Sequence, residues 1–96
     1  MGMRPKLEGE ALRAAVAGLE GWSLLEGKLH REFRFSDFVT AFGFMTRVAL
    51  VAESQDHHPE WSNVYSRVSV DLTTHDAGGI TASDVELAQR MNELAS

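Results

Sequence analysis

Histidine is the residue type in this chain with the clearest capacity for chemistry, because an imidazole gives or takes a proton near neutral pH. Three of the four histidines fall at predicted ends of secondary structure: His57 and His58 follow a central helix, and His75 follows the last strand. Loops on a rigid scaffold commonly carry catalytic groups. A histidine pair taken alone more often serves a surface or capping role, and His30, on the polar face of a strand, is interpreted as a surface residue.

Several other residues lie close in sequence to these histidines and are candidates for a binding site. The carboxylates that can orient an imidazole or contact a polar substrate are Glu53, Asp56 and Asp84. Trp61 and the backbone of Gly78-Gly79 can line a flat aromatic pocket. Each also has a purely structural interpretation: Asp84 as a helix-capping carboxylate, Trp61 as a packing residue, and Gly78-Gly79 as a turn.

Length and composition limit the classes of protein. A chain of 96 residues that is 44% hydrophobic suits a single globular domain, predicted over residues 1–96. The net charge of −5 and the scattered basic residues argue against direct nucleic-acid binding. The chain has no cysteine, which excludes disulfides and thiolate chemistry. Met1 to Leu7 lacks the apolar segment of a signal peptide and no apolar run is long enough to cross a membrane, so we expect a soluble cytoplasmic protein.

The periodicity of apolar residues predicts the element order α-β-β-α-β-β-α. Helices are predicted over Leu7 to Leu19, Asp37 to about Glu53 with Ser36 as its N-cap, and Ala82 to Ala95 with Thr81 as its N-cap. Strands are predicted over Trp22 to Leu25, Leu29 to Phe35, Trp61 to Tyr65 and Val68 to Thr74, with a tight turn near Ser66-Arg67. We therefore expect an α+β fold, with a four-stranded antiparallel sheet covered by three helices on one face.

The central helix carries two apolar stripes side by side. One stripe contains Phe38, Phe42, Met45 and Ala49, and the other contains Phe44, Val48 and Val51. A helix that is apolar over so much of its circumference is usually covered on two sides. One side is expected to pack on the sheet, and the other on a second subunit or on another helix.

The order of motifs along the chain resembles the pterin-4a-carbinolamine dehydratase family. The segment Glu53-Ser54-Gln55-Asp56-His57-His58-Pro59-Glu60-Trp61-Ser62-Asn63-Val64-Tyr65 resembles the family signature. It is followed by Leu72-Thr73-Thr74-His75-Asp76-Ala77-Gly78-Gly79-Ile80-Thr81 and then by Asp84. The resemblance extends from Trp22 to Ala95 and is weakest over the first twenty residues.

The resemblance implies the same α-β-β-α-β-β-α fold and an activity that needs no cofactor and no metal. It implies that a 4a-hydroxytetrahydropterin loses water to give a quinonoid dihydropterin by histidine acid and base catalysis, in tetrahydrobiopterin recycling. By the resemblance, the catalytic residues are His57, His58 and His75, with His58 the leading candidate for the base. The substrate-binding residues implied are Glu53, Asp56, Trp61, Thr73 and Asp84. Ser83 departs from some animal members, which have an arginine at this position.

Two other functions compete with this interpretation. Three histidines and Glu53 offer ligands for a hydrolytic zinc ion, although the adjacent pair His57-His58 lacks the one-turn spacing of a helical zinc motif. Some animal relatives act as dimerisation cofactors for a homeodomain transcription factor, which makes a non-enzymatic binding role the second alternative. As partners we expect a pterin substrate and a homodimer or homotetramer formed through the central helix, with no nucleic acid or membrane.

Overall fold

The computed structural model describes residues 4–96 and confirms the predicted element order. Within that range the helices are α1 (Gly9–Ala17), α2 (Phe38–Gln55) and α3 (Ala82–Ala95), and a 3₁₀ turn spans His75–Ala77. The strands are β1 (Ser23–Leu25), β2 (Lys28–Arg34), β3 (Glu60–Val64) and β4 (Arg67–Leu72). The fold is therefore α+β, as the apolar pattern predicts.

The four strands form one antiparallel sheet in the order β1-β2-β4-β3. Both predicted hairpins are present, and they join through β2 and β4, where Leu29 lies opposite Leu72 and Phe33 lies opposite Val68. Glu60, at the start of the edge strand β3, lies opposite Asp71. This order places the end of β4 beside the start of β3, next to the end of α2.

The core lies between one face of the sheet and the helices. The fully or almost fully buried apolar side chains of the sheet are Leu29, Phe33, Val68, Val70 and Leu72. The helices contribute Ala41, Phe44, Val48 and Ala52 from α2 and Leu87, Ala88 and Met91 from α3. The Phe44 ring lies 4.8 Å from that of Phe33 and 5.0 Å from that of Phe35, measured between centroids. Alternation along the strands directs these side chains inward and the polar ones outward.

The opposite face of the sheet is polar and carries cross-strand ion pairs. His30, interpreted from the sequence as a surface residue, contacts Asp71 on the neighbouring strand β4. The distance from His30 Nδ1 to Asp71 Oδ1 is 3.0 Å. Glu32 lies 2.8 Å from Arg34 on its own strand and 3.6 Å from Arg67 on the neighbouring strand β4. Opposite charges on neighbouring strands stabilise the pairing modestly.

Two helix starts differ from the sequence predictions for local reasons. The first helix begins at Gly9 rather than Leu7, because its N-cap, Glu8, has an extended backbone. The Leu7 amide, before the helix, donates to the Ile80 carbonyl at 2.7 Å. The prediction of Ser36 as an N-cap is wrong: Asp37 is the cap, and its carboxylate accepts from the Thr40 amide at 2.8 Å.

The second hairpin turns one residue earlier than predicted. The turn lies at Tyr65-Ser66, and Tyr65 adopts a left-handed conformation with φ of 53°. The side-chain amide of Asn63 donates to the carbonyls of Tyr65 and Arg67 at 3.1 and 2.9 Å, which closes the turn. Asparagine side chains commonly stabilise turns through such bonds.

Candidate active site

Two loops bring the candidate residues to one end of the sheet. The first follows α2, whose C-cap Asp56 has a left-handed conformation (φ 54°), and leads into β3. The second follows β4, where Thr74 pairs with Gly79 around the 3₁₀ turn. Between the loops lies an open depression of about 310 Å³. Its lining residues are Asp56, His57, His58, Thr73, Thr74, His75 and Asp76.

His57 is the most buried of the three imidazoles and is paired with a fully buried carboxylate. Its side chain is 14% exposed, and Nε2 lies 2.5 Å from Asp84 Oδ1. Asp84 has no exposed surface. A buried charge is tolerated only when hydrogen bonds surround it, so the remaining contacts of Asp84 determine whether this pair is stable.

The other oxygen of Asp84 accepts two hydrogen bonds. Oδ2 accepts from the Thr81 amide at 2.9 Å and from the Thr74 hydroxyl at 2.8 Å. The Thr81 contact is half of a capping box at the start of α3, as the sequence predicts. Asp84 therefore caps a helix and contacts His57 with the same carboxylate, which confirms its interpretation as a capping residue.

His58 forms a more exposed pair with the last turn of α2. Its Nε2 lies 2.9 Å from Glu53 Oε1, and the two side chains are 59% and 81% exposed. Solvent screens such a pair, so its contribution to stability is small. The contact still limits the orientations of the His58 ring at the edge of the depression.

His75 is held by Glu60, the first residue of β3. His75 Nε2 lies 2.9 Å from Glu60 Oε2, and Lys28 Nζ donates to Glu60 Oε1 at 2.6 Å. The hydrogen bond from Lys28, followed by that from His75, lowers the pKa of Glu60 below its ordinary value. The bond to Glu60 correspondingly raises the pKa of Lys28. Glu60 is thus an ionised acceptor for two donors.

The three imidazoles share one arrangement of hydrogen bonds. In each, Nε2 contacts a carboxylate oxygen, and Nδ1 makes no hydrogen bond within residues 4–96. An ionised carboxylate only accepts, so Nε2 carries the hydrogen and Nδ1 is the nitrogen left to exchange a proton with a ligand. A carboxylate behind an imidazole also stabilises the imidazolium that forms when the ring takes a proton. This geometry suits general acid and base catalysis.

Of the other predicted site residues, two line the depression and the rest do not. Asp56 and Thr73 line the depression, whereas Glu53 reaches it through His58. Trp61 is half-buried, packs against the core and does not line the depression. Direct substrate contact by Asp84 does not fit its complete burial behind His57.

Sequence reasoning missed three residues that hold the imidazoles: Lys28, Glu60 and Thr74. The partnership of Lys28 and Glu60 with His75 depends on the strand order, which places β4 between β2 and β3. Thr74 has a weak sequence signal, since it directly precedes His75. Ser83 lines a neighbouring depression of about 300 Å³ together with Arg4 and His57, and Arg4 pairs with Glu86 at 2.7 Å.

The side chains of the described region are not arranged as a metal centre. Among residues 4–96, no group of three or more histidine, aspartate or glutamate side chains is placed to hold a metal ion. Over the same part of the chain, no helix is both long and apolar enough to span a membrane.

Comparison with known sequences shows the family of this chain. The family model described as pterin 4 alpha carbinolamine dehydratase matches residues 5–94. A Solibacter usitatus protein is 53% identical over 98% of this chain and 99% of its own length. An Afipia carboxidovorans protein is 59% identical over 94% of this chain and 92% of its own. Both are named, provisionally, as pterin-4-alpha-carbinolamine dehydratases.

A solved structure shows the same fold. The crystal structure of a transcriptional coactivator/pterin dehydratase from Brucella melitensis superposes with a TM-score of 0.92 at 45% sequence identity. The superposition covers 95% of this chain and 99% of that one. By its sequence and its fold, the chain belongs to the pterin-4a-carbinolamine dehydratase family of hydro-lyases.

Proposed function

We propose that the three imidazoles catalyse the dehydration of a 4a-hydroxytetrahydropterin to a quinonoid dihydropterin and water, as a step of tetrahydrobiopterin recycling. The observation that supports this most strongly is the convergence of His57, His58 and His75 on one depression. A second support is that each ring presents the same nitrogen, Nδ1, without a protein partner among residues 4–96.

The reaction needs two proton transfers. A base removes the proton on N5 of the pterin, the electron pair forms the C4a=N5 double bond, and the C4a–O bond breaks. Hydroxide is a poor leaving group, so an acid that protonates the departing oxygen lowers the barrier. One neutral imidazole and one imidazolium supply both functions, each worth roughly 10²–10⁴-fold in rate.

We assign His58 as the base and His57 or His75 as the acid at the C4a hydroxyl. The Glu53 carboxylate is compatible with this role for His58, because it stabilises the imidazolium that forms when the ring takes the N5 proton. Asp84 does the same for His57, and Glu60 for His75.

We propose that Asp56 and Thr73 contact the pterin directly, since both line the depression. Their carboxylate and hydroxyl oxygens can accept hydrogen bonds from the N–H groups of a pterin ring. Glu53 and Asp84 are proposed to act through the histidines that they hold. Trp61 is proposed to support the depression by packing beneath β3 rather than by stacking on the substrate.

The direct test is the decay of chemically generated 4a-carbinolamine with and without the purified protein. We expect faster decay with the protein, and the same rate after treatment with a chelator. Elemental analysis of protein purified without added metal addresses the zinc hydrolase alternative. Stoichiometric zinc together with loss of activity on chelation would contradict the proposal.

We also propose that α2 carries a self-association surface, formed by Phe38, Val39, Phe42 and Leu50. These side chains are 45%, 77%, 54% and 70% exposed. Exposed apolar residues grouped on one helix commonly mark an interface, and closed homo-oligomers are the commonest assemblies of soluble proteins. A homodimer or homotetramer would cover this surface. The Brucella melitensis protein is named as a transcriptional coactivator as well as a dehydratase, so a foreign protein partner is the alternative occupant.

A further inference from the structure

We infer that Glu60, held by its ion pair with Lys28, is a positioning residue that determines which ring nitrogen His75 presents to the depression. This inference rests on the proposed catalytic role of the imidazoles and goes beyond it, because neither Glu60 nor Lys28 is among the predicted site residues. Glu60 contacts the ring at Nε2 and acts through His75 rather than on the substrate.

The three residues come from separate parts of the chain. Lys28 begins β2, Glu60 begins β3 and His75 begins the 3₁₀ turn. The strand β4 lies between β2 and β3, so the Lys28–Glu60 ion pair spans it on the face away from the helices. The contact therefore exists only when the sheet is correctly assembled.

The Lys28–Glu60 ion pair offsets an electrostatic repulsion within the sheet. Glu60 lies directly opposite Asp71 in the β3–β4 register, and like charges directly opposite one another destabilise a sheet. The Lys28 ammonium, 2.6 Å from Glu60 Oε1, offsets this repulsion. With Oε1 engaged by Lys28, Oε2 is the oxygen that accepts from His75, at 2.9 Å.

The hydrogen-bond donors and acceptors around the ring then specify the tautomer of His75. The lowered pKa of Glu60 keeps it ionised and acceptor-only near neutral pH. Nε2 of His75 must therefore carry the hydrogen, and Nδ1 is left to exchange a proton with substrate. The His75 side chain is 76% exposed, so burial does not fix the ring, and Glu60 supplies the constraint.

Glu60→Gln gives this inference a specific consequence. Lys28 has only donors, so the carbonyl oxygen of the substituted side chain must face Lys28 and its NH₂ group must face His75. Nε2 must then accept, which moves the hydrogen of neutral His75 to Nδ1. Adding Lys28→Met frees the amide to rotate, so that its oxygen accepts from Nε2 and the original tautomer returns.

The experiment combines ¹⁵N-histidine NMR at about pH 8.5, where imidazoles are neutral, with steady-state kinetics. For wild type and for Lys28→Met we expect His75 with the hydrogen on Nε2. For Glu60→Gln we expect the hydrogen on Nδ1 and a loss of at least about tenfold in kcat with little change in KM, because acid or base catalysis is worth at least about 10²-fold. The double variant should recover both the tautomer and much of kcat.

Glu32→Gln is the matched control, since Glu32 lies on the same sheet face and pairs with Arg34 and Arg67 but with no histidine of the described region. It should leave the His75 tautomer and kcat unchanged. An identical His75 tautomer in wild type and Glu60→Gln would overturn the inference, as would a double variant no more active than Glu60→Gln. Absence of wild-type turnover would refute the proposed function instead, whereas the tautomer change by NMR would still support the positioning role of Glu60.

Discussion

At the scale of the residue, the three histidines of the candidate site depend on other side chains for their orientation. Each imidazole has a carboxylate behind it, and two of these carboxylates have further donors: Thr74 and the Thr81 amide for Asp84, and Lys28 for Glu60. The three histidines themselves are evident from the sequence. Their partners are less evident, because Asp84 is 27 positions from His57, and Glu60 is 15 from His75.

Thr74→Val tests the support behind His57 with an almost isosteric change. The Thr74 hydroxyl donates to Asp84 and also contacts the Thr81 hydroxyl at 2.9 Å. Its loss should lower the free energy of unfolding by about 1–3 kcal/mol, because part of the hydrogen bonding to a buried carboxylate disappears. Urea unfolding with an unchanged m-value measures this loss. Thr46→Val, at an exposed site on α2, is the control and should cost less, so an equal loss in both variants would contradict the role of Thr74.

At the scale of the element, the sequence predicts the type and order of helices and strands better than their ends. Ser36 and Asp37 are both good N-cap residues. Asp37 is the cap because its carboxylate accepts a hydrogen bond from the Thr40 amide. Leu7 fits the apolar pattern of α1, but the extended backbone of Glu8 separates it from the helix, and its amide donates to Ile80. In both cases the backbone conformation at the boundary, which the apolar pattern does not encode, determines where the helix begins.

The N-cap of α2 predicts a dependence of stability on pH. The hydrogen bonds from Thr40 lower the pKa of Asp37 below its ordinary value of 3.8. The stabilisation from its charge is therefore complete above the unfolded-state pKa and is lost as the pH falls through the folded-state pKa. Asp37→Asn keeps a capping oxygen but has no charge to titrate. The gap in Tm between wild type and Asp37→Asn should narrow as the pH falls below 3.8, through the lowered pKa of Asp37. A constant gap would contradict this explanation.

At the scale of the whole molecule, one face of the sheet packs against the helices, the other carries ion pairs, and α2 presents apolar residues on both sides. The predicted stripe with Phe44 and Val48 is buried, whereas Phe38 and Phe42 of the other stripe are about half exposed. The doubly apolar pattern is visible in the sequence. The sequence of one chain does not identify a second molecule that could pack on its outer side.

The double variant Phe38→Ser/Phe42→Ser tests the self-association surface. We expect the wild-type protein to sediment as a homodimer or homotetramer and the double variant to sediment as a smaller species with an unchanged circular dichroism spectrum. Leu25→Ser, which replaces an exposed leucine on β1 that is 48% accessible, is the control and should keep the wild-type assembly. A wild-type protein that sediments as a monomer at micromolar concentrations would contradict the proposed surface.

Imidazoles from two separate loops are proposed to act together on one pterin, and the whole interpretation of the site depends on this cooperation. The most direct test compares 4a-carbinolamine decay catalysed by wild type, His58→Ala and His75→Ala. Each variant should retain the wild-type circular dichroism spectrum and lose about 10²-fold or more in kcat, the usual contribution of a general acid or base. Near-wild-type turnover by both folded variants would contradict the proposed cooperation.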